Sequence, residues 1–259
     1  MTSESFNATI DVQPVKTLLS ILSKLSEEAI YTWTPEGLRI RVVCAQRFKL
    51  ADIWLKPEAF REYECPETIK LGVVNERLKD IIKTLTSKET VDFSYQDGKL
   101  VLAANGLRRV VKLLRLEYMN EVEQLPDFSY SYSLTTISKD IRDYLKALGK
   151  TMAFDAILRN NESGNSELIW RSKNDEEPIE WKPVLSSLDS DSEESDEQRV
   201  LTASGFSATT YTTEEVLATL GATLRKQPVT LQGGQDLPLR AEWTPHDGFR
   251  VIAMVANRS

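Results

Sequence analysis

Residues 75–104 read NERLKDIIKTLTSKETVDFSYQDGKLVLAA and contain the two kinds of element from which the fold is built. In the first part, apolar side chains recur at the spacing of one helix face, at Leu78, Ile81, Ile82 and Leu85. In the second part, alternating segments flank Asp97–Gly98, a pair that readily takes the positive φ angles of a hairpin turn. The stretch therefore predicts a helix followed by a β-hairpin.

The same order of elements recurs near the end of the chain. Residues 214–226, EEVLATLGATLRK, predict a helix, and residues 229–243, VTLQGGQDLPLRAEW, parallel the first hairpin. Thr212 and Glu215 have the spacing of a capping box, in which two side chains satisfy free amides at a helix start. The helix–hairpin unit is therefore predicted to occur twice.

Each half also opens with a helical pattern, PVKTLLSILSKL at 14–25 and SKDIRDYLKALGK at 138–150, where Gly149 is the expected C-cap. The two helices of a half begin 61 residues apart in the first half (14 to 75) and 74 in the second (138 to 212). The excess of 13 matches the acidic, Ser-rich stretch SSLDSDSEESDEQ at 186–198, whose composition is typical of a solvated loop. A duplicated domain therefore explains the order of elements.

Short segments rich in β-formers fill the intervals between the helices. The predicted strands outside the hairpins are 6–12, 29–33, 38–43, 48–55, 68–73, 108–116, 130–137, 152–158, 167–172, 180–184, 200–203, 206–211 and 249–255. Helices and antiparallel strands in this arrangement predict an α+β fold in two tandem copies.

Composition restricts the function classes. The 259 residues are 41% hydrophobic and 27% charged, and no apolar run approaches the ~18–20 residues that span a bilayer. The start, MTSESFNATI, lacks the basic and apolar regions of a secretion signal. Two cysteines are too few for a disulfide framework, and one histidine without a CxxC pair disfavours zinc. We expect a soluble intracellular protein of two domains that needs no cofactor.

Charge is unevenly distributed along the chain. Residues 174–198 hold ten acids and one base, so this segment carries −9 of a total of −7, and the rest carries +2. An acidic protein does not coat nucleic acid through its overall charge, but its bases can still gather on one surface.

The predicted helices carry bases opposite their apolar faces. Such a face is ordinarily a solvated surface, but three helices with mostly bases in an acidic protein favour contact with nucleic acid. The candidate bases for contact with nucleic acid are Lys16, Lys24, Arg77, Lys79, Lys83, Lys139, Arg142, Lys146 and Lys150, with Arg225 and Lys226 on the weaker fourth helix.

Four segments, in order and at the right spacing, carry a resemblance to a known family. They are FREYECPETIKLGVVNERLKDIIK (60–83), LLRLEYMNE followed by VEQL (113–125), LPLRAEW (237–243) and VANR (255–258). Together with the helix–strand order of both halves, they resemble the sliding DNA clamps of archaea and eukaryotes, the proliferating cell nuclear antigen (PCNA) type. The resemblance covers essentially the full length.

The resemblance implies a ring of three subunits that encircles duplex DNA and acts as a polymerase processivity factor. It implies clamp domains at 1–116 and 130–259, joined by a connector at 117–129, with four helices lining the hole and antiparallel sheets outside. The location would be the nucleus in a eukaryote, or the cytoplasm and nucleoid in an archaeon.

In such rings an edge strand of one subunit pairs with an edge strand of the next. The resemblance places these edges at 110–116 and 179–184, although each edge could instead be covered within its own chain. The implied interface residues are Val110, Val111, Leu113, Leu114, Ile179, Trp181 and Val184.

Sliding clamps also recruit a clamp loader, DNA polymerase, flap endonuclease and DNA ligase, the enzymes through short peptides that enter an apolar pocket. The implied pocket residues are Val43, Arg47, Leu125, Pro126, Phe128, Pro238, Met254, Val255 and Ala256. Leu125 and Phe128 could instead simply pack a linker onto its domains. The connector is shorter than the common form, and the tail has Val-Ala-Asn-Arg where the family usually has Leu-Ala-Pro-Lys or Leu-Ala-Pro-Arg, so peptide preference stays open.

The residues do not indicate an enzyme. His246 has no second histidine to work with, and no phosphate-binding loop, GxGxxG or HExxH motif is present. No catalytic residue is therefore assigned. Two alternatives stay open: a specialised subunit of a heterotrimeric or checkpoint-type clamp, and an acidic protein–protein adaptor that does not encircle DNA. The acidic stretch at 186–198 could repel DNA, contact a basic partner or be merely solvated.

Overall fold

The computed structural model describes residues 5–149, 152–174, 176–183, 185, 199–221, 223–224 and 226–258. The chain divides into two compact units. The first contains Met1–Leu125 and Thr244–Val251, and the second contains Pro126–Trp243 and Ile252–Ser259. Four sequence predictions lie outside the described residues, namely those on Lys150, Val184, Arg225 and the acidic stretch 186–198.

The first unit follows the predicted order of helices and strands. Its elements are β1 (Phe6–Asp11), α1 (Val12–Leu22), β2 (Glu28–Thr34), β3 (Gly37–Val43), β4 (Lys49–Leu55), β5 (Glu62–Glu64), β6 (Ile69–Val74), α2 (Asn75–Ile82), β7 (Thr90–Gln96), β8 (Lys99–Ala104) and β9 (Leu107–Val111), with 3₁₀ turns at Pro57–Ala59 and Leu116–Tyr118. One sheet has the order β5-β1-β7-β8-β9 and the other contains β4-β3-β2-β6. The strand pairs within both are antiparallel.

The second unit repeats this order element by element. Its elements are β10 (Tyr132–Ile137), α3 (Ser138–Leu148), β11 (Ala153–Asn160), β12 (Ser166–Ser172), β13 (Glu180–Trp181), β14 (Val200–Ala203), β15 (Ser207–Thr212), α4 (Thr213–Leu220), β16 (Pro228–Gly233), β17 (Leu239–His246) and β18 (Phe249–Val255). The orders β14-β10-β16-β17-β18 and β13-β12-β11-β15 match the two sheet orders of the first unit, strand for strand. The predicted duplication is confirmed, and the fold is α+β.

Each unit has an aromatic core between its sheets and helices. Trp33 of β2 is stacked on Phe6, with 4.1 Å between ring centroids, and lies against Phe93. Trp170 of β12 is stacked on Phe154 at 4.6 Å. Both indoles are almost completely buried, as the alternation of apolar residues along their strands requires.

The hairpin predicted from Asp97–Gly98 is confirmed, and both residues have positive φ, of 52° and 74°. Gly149 also follows its helix at φ 76°, as expected of a C-cap. Several helix and strand ends were predicted wrongly. The first helix begins at Val12 rather than Pro14 and ends at Leu22, so Lys24 lies in the turn beyond it.

The predicted fourth helix, 214–226, in fact ends at Leu220, where Gly221 is the C-cap residue, so Lys226 lies in a turn beyond it. The predicted capping box is also wrong, because the N-cap Thr212 makes no side-chain hydrogen bond to the helix start. The amide of Thr213 donates instead to the carbonyl of Met152, at 3.0 Å. A carbonyl from a neighbouring segment therefore replaces the cap.

Candidate functional site

The four helices of the described residues all begin in the same way, directly after a strand. The first helical amide of each donates to a backbone carbonyl of a neighbouring segment at 2.9–3.0 Å. These pairs are Val12 with Glu89, Asn75 with Glu27, Ser138 with Gln227, and Thr213 with Met152. Because an unsatisfied helix amide is costly, this bond fixes where each helix starts and how its outer face is oriented on its sheet.

Two of the candidate bases in the first unit anchor the helices. The Lys16 ammonium of α1 donates to the carbonyl of Leu85, at 2.5 Å, just beyond α2. The Arg77 guanidinium of α2 donates to the carbonyl of Lys112, at 2.7 Å. Both side chains are partly buried, so part of their role is to hold neighbouring segments together.

The two lysines on the outer face of α2 each have an acid one turn before them. Lys79 lies 3.2 Å from Glu76, and Lys83 donates to Asp80. The hydrogen bond from Lys83 lowers the pKa of the Asp80 carboxyl, and Asp80 in turn raises the pKa of Lys83. Glu76 and Asp80 were overlooked in the sequence analysis, although their i,i+3 spacing to the lysines would have revealed them.

The basic side chains of helix α3 differ in their contacts. Lys139 lies 3.6 Å from Asp143, and Arg142 donates to the carbonyl of Thr223 at 2.7 Å. The Lys146 side chain is exposed, and within the described residues no hydrogen bond or ion pair to it is found. Lys24, after α1, and Lys226, after α4, are exposed as well. The helices and the turns after them thus present exposed ammonium groups. Neighbouring carboxylates reduce the net positive charge around several of these groups.

The candidate pocket residues are described unit by unit. In the first unit, Val43 ends β3 half-exposed, Leu125 is half-exposed, and Arg47 is exposed in a turn at φ 61°. In the second unit, Pro126 and Ala256 are exposed, Pro238 is half-exposed, Phe128 is half-buried beside Tyr130, and Met254 and Val255 are buried.

The candidate interface residues fall on shorter edge strands than predicted. The edge strand β9 ends at Val111, not at 116, and Leu113 and Leu114 lie beyond it. The Leu114 amide donates to the carbonyl of Gly72, at 2.8 Å, so this residue is paired within its own chain. Val111 is buried, whereas Val110 is 57% exposed.

The second edge, β13, has two residues instead of the predicted five. Ile179, just before it, is partly exposed, and Trp181 packs against Trp170 and Tyr144 in the core of the second unit. Among the predicted interface residues that the structure describes, Val110 and Ile179 are the exposed ones, whereas Leu113, Leu114 and Trp181 are partly buried.

The first unit also has an open groove that was not predicted. It has a volume of about 580 Å³ and is lined by residues that include Arg39, Arg41, Trp54 and Glu121. Both arginines contact the buried carboxylate of Asp52. The single carboxylate of Asp52 thus balances part of the positive charge that the two arginines bring to the groove.

The His246 ring contacts another side chain within the first unit. Its Nε2 lies 2.9 Å from the Thr17 hydroxyl, which donates in turn to the carbonyl of Gln13. Burial lowers the pKa of His246, and the charge of Asp247 partly opposes this effect. Across the described residues no cluster of His, Cys, Asp and Glu is placed to hold a metal ion, and no helix there is long and apolar enough to cross a membrane.

Comparisons with known proteins agree with this architecture. Residues 7–121 match the family model described as the N-terminal domain of proliferating cell nuclear antigen. A DNA polymerase sliding clamp of Thermofilum pendens is 23% identical over 137 residues, which cover 52% of this chain and 56% of that protein. The sliding clamp of Pyrococcus horikoshii is 24% identical over 246 residues, 93% of each chain. Alignments such as the first span about half the length of the curated relatives.

Two solved structures have the same fold. The A. fulgidus PCNA, with the C-terminal region of FEN-1 bound, superposes with a TM-score of 0.83 at 16% identity, covering 98% of each chain. A chain of the PCNA2–PCNA3 complex from Sulfolobus tokodaii superposes with a TM-score of 0.77 at 17% identity, covering 97% of this chain and 99% of that one. Residues 7–121 thus match the N-terminal domain of the PCNA family, and the sliding-clamp relatives and the duplicated fold of the described chain support a PCNA-family sliding clamp.

Proposed function

We propose that this protein is a DNA sliding clamp that works as a ring-shaped trimer around duplex DNA, as a polymerase processivity factor without catalytic activity of its own. The observation that carries the proposal is the duplication of a unit that exposes lysines on its helices or in the turns directly after them, in a protein whose net charge is −7. The candidate DNA-contacting surface comprises the outer faces of α1, α2 and α3 and the turns that follow α1 and α4.

The charge arrangement suits a protein that must move along DNA. Ammonium groups attract phosphates without reading bases, and the contact is diffuse and sensitive to salt. The carboxylates beside Lys79, Lys83 and Lys139 reduce this attraction, because each phosphate competes with an acid of the same helix. We infer weak, mobile contact rather than tight binding.

The repeated topology supports pairing of sheet edges between subunits. β4 holds the same place in the first unit as β13 in the second. In the first unit the residue that follows β4, Lys56, lies against the turn between β17 and β18. Its amide donates to the carbonyl of Gly248 in that turn, at 2.8 Å. The equivalent edge at β13 has no strand of the described residues beside it. A strand from another chain would lie beside β13, as the β17–β18 hairpin lies beside the end of β4 in the first unit.

Partner enzymes would enter at the pocket predicted from the sequence. A. fulgidus PCNA is known with a C-terminal region of FEN-1 bound. By analogy, we propose that this chain receives peptides of DNA polymerase, flap endonuclease and DNA ligase, and is placed on DNA by a clamp loader. Leu125 and Phe128 are the side chains proposed to contact the peptide's apolar anchors.

Encirclement can be tested by topology. The protein is incubated with linear duplex DNA, the ends are blocked, and retention is measured in about 1 M salt, where exposed charge contacts are largely screened. A clamp stays on the blocked DNA and leaves when a restriction enzyme cuts it. Absence of salt-resistant retention would contradict encirclement and favour the adaptor, unless a sister subunit restored it, as the heterotrimer alternative requires.

The DNA-contacting surface is tested with the same DNA at low salt and with its ends left open, where retention depends on charge contacts and not on trapping of a ring. The variant in which Lys24, Lys79, Lys83 and Lys146 are alanine should be retained less and should stimulate a polymerase less, because attraction to phosphate is lost. A variant with Lys56→Ala and Lys99→Ala, exposed bases that lie directly after β4 and on β8, is the control. Equal retention of the test variant and the control would show that the helix faces do not contact DNA.

A further inference from the structure

The first part of the connector is held on the first unit at one end and not at the other. Residues up to Leu125 belong to this unit. Glu121 is paired with Lys70 of β6. From 122 to 125, no backbone hydrogen bond is found among the described residues. The residues directly after Glu121 are therefore free to change their position on the sheet below them.

The open groove of the first unit has this segment as one of its walls. The connector wall consists of Glu121, Val122 and Glu123, and so carries a charge of −2. The other wall belongs to the sheet and to the turn between β2 and β3. Its charged residues are three bases and one acid, with a second acid buried beneath them, namely Arg39, Arg41, Lys70, Glu36 and Asp52. This wall carries +3 − 2 = +1, so the two walls have opposite charges.

The guanidinium of Arg39 is fixed in position within the groove. Its Nε donates to the Asp52 carboxylate at 2.8 Å, and its Nη2 donates to the same carboxylate. It also lies over the Trp54 ring, 5.6 Å from the ring centroid. No bond from Nη1 is found within the described residues, and the side chain is 41% exposed. Arg39 can therefore accept a second carboxylate without giving up the first.

The spacing of the two connector acids fits the spacing of the bases. Thr32 of β2 is paired with Lys70 of β6 on one side and with Arg39 of β3 on the other. Lys70 and Arg39 are thus two strands apart, or ~9–10 Å. Glu121 and Glu123 are ~7 Å apart in an extended chain, and their side chains then point the same way. With Glu121 on Lys70, Glu123 comes within reach of the Arg39 guanidinium.

We propose that residues 121–125 form a strap that closes on this groove, in which Glu123 pairs with the Nη1 side of Arg39 while Glu121 stays on Lys70. In the structure Glu123 is exposed, and among the described residues no ion pair to it is found, so the strap is open there. Closure fixes the position of Leu125, two residues farther along. The consequence for partner peptides rests on the proposed function, in which Leu125 contacts the peptide; the closure itself does not.

Closure depends on the salt concentration. An ion pair between exposed side chains contributes little stability, and salt screens it. Arg39 is already oriented by Asp52 and Trp54, so less side-chain freedom is lost when Glu123 binds than for a mobile lysine. Open and closed forms should therefore coexist at low salt, and the open form should dominate in about 1 M salt.

Carbodiimide cross-linking tests closure on the full chain, because this reagent joins an amine to a carboxylate without a spacer. Arg39→Lys supplies an amine at position 39, and the cross-links are mapped by mass spectrometry. We expect a link from position 39 to Glu123 at low salt, reduced by about fivefold or more in 1 M salt. The link from Lys70 to Glu121 is the positive control. Lys99, exposed on β8 of the other sheet, should not link to Glu123.

Calorimetry tests whether the strap positions Leu125 for a peptide. The probe is the C-terminal region of FEN-1, which is bound to PCNA in the A. fulgidus structure. Glu123→Gln should weaken its binding by about threefold at low salt, because the bound position of Leu125 is no longer fixed in advance. In 1 M salt the variant and the wild type should bind alike. Glu117→Gln, an exposed acid of the same segment that lies 3.5 Å from Arg115, is the matched control and should bind like the wild type.

The outcomes separate the strap from the proposed function. A Lys70–Glu121 link without any link from position 39 to Glu123 overturns the closure, and absence of both links overturns it as well. A strap that closes while Glu123→Gln leaves the affinity unchanged overturns the positioning of Leu125. A wild type that binds no peptide contradicts the peptide part of the proposed function and the role of Leu125 with it, while the cross-link still decides whether the strap closes.

Discussion

At the scale of single residues, glycine at position 72 allows the segment after β9 to lie directly on β6. A Cβ atom built on Gly72 would lie 2.5 Å from the Met119 sulfur and 2.9 Å from the Leu114 carbonyl oxygen. The Leu114 amide already donates to the carbonyl of Gly72, and Lys70 pairs with Glu121 farther along the segment. These contacts determine where the start of the connector lies on the first unit.

Gly72→Ala should therefore displace this segment and destabilise the first unit by about 1–3 kcal/mol, as expected for overpacking. Thermal unfolding measures the loss, and limited proteolysis within residues 114–121 measures the displacement. Adding Met119→Ala should recover only part of the stability, because the flexible sulfur is removed but the carbonyl stays. Full recovery would show that the backbone contact is unimportant.

The partial burial of His246 predicts that the stability of the folded protein depends on pH. Burial lowers its pKa in the folded protein, so the neutral ring is favoured there and the unfolded chain binds the proton more readily. The contribution of His246 to stability is thus complete above its ordinary pKa of about 6.5 and is lost as the pH falls through the lowered value.

His246→Gln should abolish this part of the pH dependence. The difference in free energy of unfolding between wild type and variant, measured by denaturation from pH 8 down to about pH 5, should shrink or reverse toward acid as the wild type loses stability. A constant difference over the range would mean that the ring titrates alike in both states.

At the scale of elements, the bases on α3 divide into an anchor and an exposed group. Arg142 donates to the carbonyl of Thr223 beyond α4, whereas Lys146, one turn later, is exposed. Residues that look equivalent on a helical wheel therefore have different roles, because only one of them reaches the neighbouring segment.

Arg142→Ala should lower the stability of the second unit by about 1–2 kcal/mol, because a hydrogen bond from a charged group is lost. Lys146→Ala should leave the stability unchanged within ~0.5 kcal/mol and reduce retention on DNA. Chemical denaturation, and retention on open-ended DNA at low salt, measure these two effects on both variants. Equal stability of the two variants would contradict the anchoring role.

At the scale of the whole molecule, the proposed ring has to bind DNA and enzymes through different surfaces. The exposed lysines of the helices are proposed for DNA, and the connector with the chain's tail is proposed for peptides. The departures in the tail, Val255 to Arg258, fall on the surface that is proposed for peptides. Substitutions at one surface should therefore leave the other function intact.

Leu125→Ala with Phe128→Ala should weaken binding of a clamp-binding peptide by about tenfold, since buried apolar anchors contribute most of the affinity of such contacts. Calorimetry with peptides from a DNA polymerase and a flap endonuclease measures this, and DNA retention should be unaffected. Tyr118→Ala, a highly exposed aromatic outside the proposed pocket, is the control. Equal loss in the control would place the peptide elsewhere.

Local signals in the sequence determined the repeat, the helix positions and the Asp97–Gly98 hairpin, because each depends on periodicity or on turn geometry within a few residues. The exposed faces with Lys79, Lys83 and Lys146 could be predicted for the same reason. The ends of elements were less predictable. β9 stops at Val111 although apolar residues continue, because Leu114 bonds to Gly72 of a distant strand.

Only the tertiary structure decided which bases are anchors and which are exposed. Arg142 reaches Thr223, Lys16 reaches Leu85, and His246 meets Thr17 across 229 positions of the chain. The starts of the helices likewise depend on carbonyls from other segments and not on a cap sequence, as Thr213 shows. Such contacts join residues far apart in the chain, so no local pattern encodes them; they exist only once the sheets bring the segments together.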